Sequence, residues 1–347
     1  MASTQPATAT ATDVTVTVID TGVRATHQEF GYGGPSDTTD QFVGWWDFST
    51  DSGSHLPAAG QTWDTTFADP YDPHGHGTAT ASAAVGLNAV PAPTKTQSFA
   101  PGAKLAIAKV GNAAATITNL PAAIKWARET IQSDIISISI GQIVPAPALS
   151  AVYGQIEAAR QAGILVVIAN GNGWANAGVP GEPGFATGYG NSPYALGVGA
   201  AGAAVDSVRV TTDPEVVAAF GQQVAAHTCD TCYVSKAGTS FSAPRVAGFA
   251  AHLKQTGLAN GQTPTADYLE TLVKYSARDT TLPPTFEGYG VIDGTQLAGA
   301  EAHAAAGTLP TRPSPDLDAL YVETVQGTLD TVWTEATSLL PTVHIGS

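Results

Sequence analysis

Valines and threonines alternate near the start of the chain, where Val14, Val16 and Val18 are separated by threonines before the run closes on Ile19-Asp20-Thr21-Gly22. A period of two predicts a strand, here ending on a carboxylate. Residues 31–73 are rich in Gly, Asp, Ser and Pro, show no period and read as loop. Apolar runs at 104–110, 134–140, 164–169 and 195–200 have strand length, and helical patterns at 119–132 and 148–162 separate them. Small residues over 79–85 form a further helical stretch. Two more helices are expected, one opening after Ser240 with Val246, Phe249, Ala250 and Leu253 on one face, the other over 265–277. Strands separated by helices of this length predict βαβ units, hence an α/β fold: a mainly parallel sheet with helices on both faces.

The pattern fades at both ends. Residues 1–12 are Ala, Thr, Ser, Gln and Pro, without the charged and apolar regions of a signal peptide, and read as a flexible arm. Beyond Gly299 the chain turns Ala-rich and then Pro-rich over 309–315, which sets the expected domain at 13–304 and leaves 305–347 as an extension. Its apolar positions Leu317, Leu320, Val322 and Val325 suit a weak docking helix.

Composition narrows the function. Charged residues make up 12% of the 347, about half the usual share, so the surface relies on uncharged polar side chains. A formal net charge of -15 leaves no basic cluster to displace counterions from a phosphate backbone, which argues against nucleic acid as a partner. The longest apolar run, 163–169, is far short of the roughly 20 residues that span a bilayer. The expectation is a soluble monomer with no membrane span. Cys229 and Cys232 have the spacing of a local disulfide, of half a metal site with His227 as a nearby third ligand, or of reduced thiols in a loop.

The candidate chemistry lies in three short segments. Gly-Thr-Ser-Phe-Ser-Ala-Pro at 238–244 puts Ser240 after a glycine turn and at the start of a helix, where free N–H groups and the helix dipole favour an anionic intermediate. Gly-His-Gly-Thr at 75–78 leaves His76 without bulky neighbours, and Asp20 at a strand end has the means to hold its tautomer. These are the nucleophile, base and orienting acid that acyl transfer from an amide requires. Singly they are weak, since Asp-Thr-Gly also occurs in aspartic proteases and a serine before a helix is commonly an N-cap. The order Asp, His, Ser is that of subtilisin, not of chymotrypsin or the α/β-hydrolases.

Val-Ile-Asp-Thr-Gly at 18–22, Gly-His-Gly-Thr at 75–78 and the 238–244 segment resemble the three signature blocks of the subtilases. Weaker blocks agree in order: 99–103, 137–141, 169–172, 195–199 and 288–292, so that the resemblance covers roughly 13–300. After His76-Gly-Thr the family's His-Val-Ala-Gly is replaced by Ala79-Thr-Ala-Ser82.

The resemblance implies a serine endopeptidase acting on protein or peptide substrates, with Asp20, His76 and Ser240 catalytic and Asn172 in the oxyanion hole. Asn170 is then a turn residue, and His74 and Ser242 are bystanders. It also implies that substrate adds as a strand along Ser137, Ile138, Ser139, Ile140 and Gly141. Small residues around Gly171 and Gly173, with Thr187 and Gly188, suggest a roomy apolar pocket. The chemistry needs no cofactor. Structural calcium is common in the family, but Asp64, Asp69 and Asp72 show no recognisable calcium loop. Family resemblance points to an extracellular enzyme. With 19 residues ahead of Asp20, a trimmed mature form is expected in preference to one that folds without a pro-segment. The rivals are a non-catalytic scaffold or surface or virion component on the same fold, and a protease dedicated to one partner.

Overall fold

A computed structural model describes residues 13–34, 37, 41–50, 57–58, 60–112, 119–140, 146–172, 189–190, 192–201, 216–219, 222–279 and 288–311. Alternating valines put one face of β1 (Thr15–Asp20) on each side of a central sheet. Val14, Val16 and Val18 join the core beneath α1 (His76–Val85) and the long α4 (Thr239–Ala259), while Ile19 faces the layer of α2 (Leu120–Trp126) and α3 (Ala146–Gln161). A π-helical turn, Ala127–Ile131, prolongs α2.

The other strands are β2 (Phe42–Asp47), β3 (Lys104–Lys109), β4 (Ile135–Ile138), β5 (Leu165–Ala169), β6 (Leu196–Ala201), β7 (Val216–Ala219) and β10 (Val291–Ile292). With β1 they form an eight-stranded sheet, order β10-β7-β6-β5-β4-β1-β3-β2, in which every pairing is parallel. The same alternation divides β5: Leu165 and Val167 point to the α4 side, Val166 and Ile168 to the α3 side. Strands buried on both faces are written as continuous apolar runs, as here. β8 (Gln222–Ala225) and β9 (Tyr233–Lys236) form a separate antiparallel hairpin. α5 (Ala266–Ser276), capped by the Thr265 hydroxyl accepting from Tyr268 N, and α6 (Leu297–Ala306) pack with α4. α6 passes the boundary expected at 304 by two residues. The arm 1–12 and residues 312–347 lie outside the described residues.

The strand order decides where the site lies. β3 joins β1 on one side and β4 on the other, so the chain reverses its direction across the sheet at β1. In open parallel sheets ligands bind outside the carboxyl ends of strands at such a reversal. Asp20 ends β1, and Ser139 follows β4 directly. Among the described residues, no helix is long and apolar enough to cross a membrane.

Candidate active site

Asp20 is fully buried, and its carboxylate accepts from three directions. Thr21 N–H donates to Oδ1 at 2.7 Å, and the His76 ring places Nδ1 2.8 Å from Oδ1 and 3.0 Å from Oδ2. The Thr80 hydroxyl lies 3.3 Å from Oδ2. A carboxylate only accepts, so Nδ1 carries the proton and Nε2 of the neutral ring keeps a lone pair. Its environment pulls the imidazole both ways. Burial disfavours the imidazolium, but the charge and hydrogen bond of Asp20, joined by the charge of Asp72, outweigh burial and the opposing charge of Lys236, and the pKa is raised.

α1 reaches β1 so closely because of Gly77, where an added Cβ would lie 2.1 Å from the Gly22 carbonyl oxygen. The His76 side chain remains 22% exposed, and its ring stands 5.3 Å from that of Phe241, the residue after Ser240.

Ser240 is the second residue of α4. Gly238 precedes the helix at φ 128°, ψ 166°, a conformation that L side chains rarely adopt. The first N–H groups of a helix have no intrahelical acceptor. Thr239 N–H donates to Asn172 Oδ1 at 3.1 Å and Phe241 N–H to the Gly238 carbonyl, with the Ser240 N–H between them. The Thr239 hydroxyl also accepts from Gly171 N–H, so it clamps the Gly171-Asn172 turn against α4. With Oδ1 held by Thr239, the Asn172 amide sits against the start of α4, where a Cβ built on Gly238 would lie 3.4 Å from its Nδ2.

The Ser240 hydroxyl is half-buried and donates to the Ser139 carbonyl at 3.0 Å, not to His76. The structure thus brings Asp20 to His76, sets Phe241 against the imidazole and ties Asn172 to Thr239. Ser242 is fully buried and His74 exposed.

Two sequence expectations need correcting. Ser137 and Ile138 are not a free edge: they pair with Val18 and Ile19 of β1 on one side and Val167 and Ile168 of β5 on the other. Their backbone groups are already in the ladder, and only Ser139 and Ile140, past the strand end, remain for a peptide. Gly141, Gly173, Thr187 and Gly188 lie outside the described residues. Asn170 is no surface turn residue either. It is fully buried, its N–H donates to the Val198 carbonyl, and neither side-chain polar atom has a partner among the described residues.

Cys229 and Cys232 form a disulfide, with Cα atoms 5.3 Å apart. The acidic residues weighed for calcium serve hydrogen-bond donors. Asp64 accepts from Asp47 N–H and Thr66 N–H, Asp69 from the Tyr32 hydroxyl, and Asp72 from five groups around α1. No group of three or more His, Cys, Asp or Glu converges as a ligand set among the described residues.

Residues 11–291 match the subtilase family. The chain belongs to the subtilases. It is a serine-type endopeptidase acting on peptide bonds, and subtilases use no cofactor in catalysis. Solved structures agree with this subtilase in fold. The protease domain of PatA aligns at TM-score 0.61 and 20% identity, over 85% of this chain and 96% of that one. A protease from Pseudoalteromonas arctica PAMC 21717 aligns at 0.61 and 23%, over 84% and 91%. A cold-adapted subtilisin-like serine proteinase aligns at 0.58 and 22%, over 78% and 85%.

What sequence reading missed in this subtilase are the supporting groups: Thr21, Asp72, Thr80 and Thr239. Thr21, Thr80 and Thr239 meet partners 51 or more positions away, whereas Asp72 gathers the Thr21 hydroxyl and donors two to six positions ahead of it. The single available signal was an acidic residue four positions before His76.

Proposed function

We propose that this subtilase hydrolyses peptide bonds through Asp20, His76 and Ser240, with an acyl-enzyme intermediate. The observation that carries the reading is the hydrogen-bonded Asp20–His76 pair, whose imidazole keeps an open edge beside the start of α4. Ser240 rotates from the Ser139 carbonyl to His76 Nε2, an adjustment normal for a site without substrate. His76 takes the hydroxyl proton as Oγ attacks the scissile carbonyl, and Asp20 stabilises the imidazolium. The tetrahedral oxyanion is held by the Ser240 N–H and the Asn172 NH2 group, aided by the amino-terminal dipole of α4. His76 then protonates the leaving amine, and water attacks the acyl-enzyme by the same route in reverse. The peptide lies extended against the backbone from Ser139 onward, which supplies affinity with little sequence preference. A disulfide between Cys229 and Cys232 supports an exported enzyme working in an oxidising compartment.

The test is amide hydrolysis and labelling by a fluorophosphonate probe in Ser240→Ala and Ser242→Ala. Ser240→Ala is expected to lose both, with turnover down on the order of a millionfold, while the fold persists because no core volume is removed. Labelling of Ser240→Ala, or equal losses in the two variants, would move the nucleophile elsewhere, whereas a wild-type protein that neither labels nor hydrolyses amides would revive the scaffold reading.

A further inference from the structure

We propose that Asp72 is a positioning residue of the hydrolytic site: its carboxylate fixes the first turn of α1, and through it His76, to the end of β1 that carries Asp20. This rests on the triad reading above.

Asp72 is 8% exposed and accepts five hydrogen bonds. Oδ1 takes the Thr21 hydroxyl at 2.9 Å, His74 N–H at 3.1 Å and Gly75 N–H at 2.8 Å, while Oδ2 takes Thr78 N–H at 2.8 Å and the Thr78 hydroxyl at 2.6 Å. The Thr21 hydroxyl in turn accepts from Gly77 N–H at 2.9 Å, and that of Thr78 accepts from Arg24 N–H at 2.9 Å. One carboxylate therefore links residues 21 and 24, just past β1, to 74, 75, 77 and 78, on both sides of His76.

The link is needed because the N-cap of α1 is Gly75, which has no side chain to cap with. Asp72 supplies the acceptors from three residues upstream, and its charge suits the positive end of the helix. Five donors converge on a group that accepts only when ionised, so neither an amide nor a protonated acid can satisfy them all. Consistently, although burial opposes ionisation, hydrogen bonds from Thr78, Gly75 and Thr21 hold its pKa down.

Asp72 also acts on His76 through space. The charged or titratable groups around the imidazole are Asp20 on β1, Asp72 and His74 ahead of α1, and Lys236 on β9, while Phe241 of α4 is neutral. Asp72 adds its negative charge to that of Asp20.

The test is Asp72→Asn, read per titrated active site. A helix start left short of one acceptor lets the imidazole drift, and misplacement of this kind lowers kcat about 10- to 100-fold, with KM expected within about twofold. The acid limb of kcat/KM should move to lower pH because a negative charge beside His76 is gone. The imidazole titration seen by NMR in a Ser240→Ala background should move the same way. Loss of folded protein alone would change neither of these two readouts. Thr21→Val keeps the charge but removes the bridge, so kcat should fall with the limb unmoved, which keeps the proposal testable if Asp72→Asn fails to fold. Wild-type kcat and an unmoved limb in folded Asp72→Asn, or wild-type kcat in Thr21→Val, overturn it. If Ser240→Ala is inactive in parallel, that failure concerns Asp72 alone. Turnover by Ser240→Ala removes the triad reading and this one together.

Discussion

Two buried polar clusters follow from the same stretch of chain after β1, and they have opposite characters. In the first, Glu29 and Lys95 are both fully buried, with Nζ 3.3 Å from Oε2. The other two ammonium protons go to Asn88 Oδ1 and the Thr96 carbonyl. Glu29 also accepts from the Tyr233 hydroxyl at 2.6 Å and from Asn88 and Ala89 N–H. His27, at its edge, accepts from Glu29 N–H at Nδ1 and donates from Nε2 to the Cys232 carbonyl. Each of these groups has a partner, and the three titratable side chains at its centre, His27, Glu29 and Lys95, are fully buried. In the second cluster Asp20 is as deeply buried as Glu29, yet its partner His76 keeps an open edge, and Ser240, whose neighbour Phe241 stands against the imidazole, donates one replaceable hydrogen bond. Burial and pairing are common to both. The cluster proposed for chemistry is distinguished by valence left unspent toward the cleft.

The first way to break this comparison is to open the sealed cluster. Lys95→Met keeps the length of the side chain but leaves the Glu29 carboxylate buried without its cation. Removing one partner of a buried pair costs about 3–5 kcal/mol. Urea denaturation should show a loss of that size, while turnover per titrated active site stays at the wild-type value. A drop in turnover per site as large as the drop in stability would mean that the two clusters are one functional unit.

How much of this could be read from sequence depends on whether a group's partner is local. β1, β3, β4 and β5 announce themselves by alternation or by continuous apolar runs and α1 to α5 by helical patterning, whereas α6 lies in a stretch that reads only as Ala-rich. β2 was hidden in a stretch dominated by Gly, Asp and Ser, and its six residues, Phe-Val-Gly-Trp-Trp-Asp, have no clean period. The hairpin of β8 and β9 buries little besides Val224 and Ala225, so polar residues blur its pattern. Asp20, His76 and Ser240 were legible because glycines mark the tight approaches around them. That Ser137 and Ile138 sit mid-sheet was not legible, because strand order is a property of the whole topology. The Lys95 partnership spans 66 positions, from 29 to 95, and nothing local to either residue signals it.

A second, comparable effect separates two neighbouring amides. Asn172→Ala removes the NH2 group proposed for the oxyanion and should lower kcat about 100- to 1,000-fold with KM little changed. Asn170→Ala removes an amide whose polar atoms are buried without partners among the described residues. Relief from that unpaired burial, about 1–3 kcal/mol, offsets the lost packing. Its kcat should match the wild type and its denaturation midpoint should be unchanged or raised. A larger kcat loss in Asn170→Ala would transfer the oxyanion role to Asn170 and remove the distinction.

The smallest effect is one of sign, and it sets the two clusters against each other through their histidines. Burial lowers the His27 pKa, against weaker opposing contributions from the Cys232 carbonyl and Glu29, whereas Asp20 and Asp72 overcome burial to raise that of His76. An unfolded histidine titrates near 6.5. Between the folded value of His27 and about 6.5 the unfolded chain binds the extra proton, so stability rises with pH across that window. Between about 6.5 and the folded value of His76 the native state binds it, so stability contributed by His76 is fully present below about 6.5 and is lost as pH rises through its folded value. These two contributions therefore peak together near 6.5. On the proposed mechanism activity follows only the second, with His76 as base once deprotonated, and the acid limb of kcat/KM should lie above the ordinary histidine value. NMR titration of both imidazoles in Ser240→Ala, with urea denaturation from pH 5 to 9, separates the slopes. His76→Asn should flatten the alkaline slope and spare the acid one. A His76 midpoint below 6.5 would show that burial outweighs the two carboxylates and that the open cluster behaves electrostatically like the sealed one.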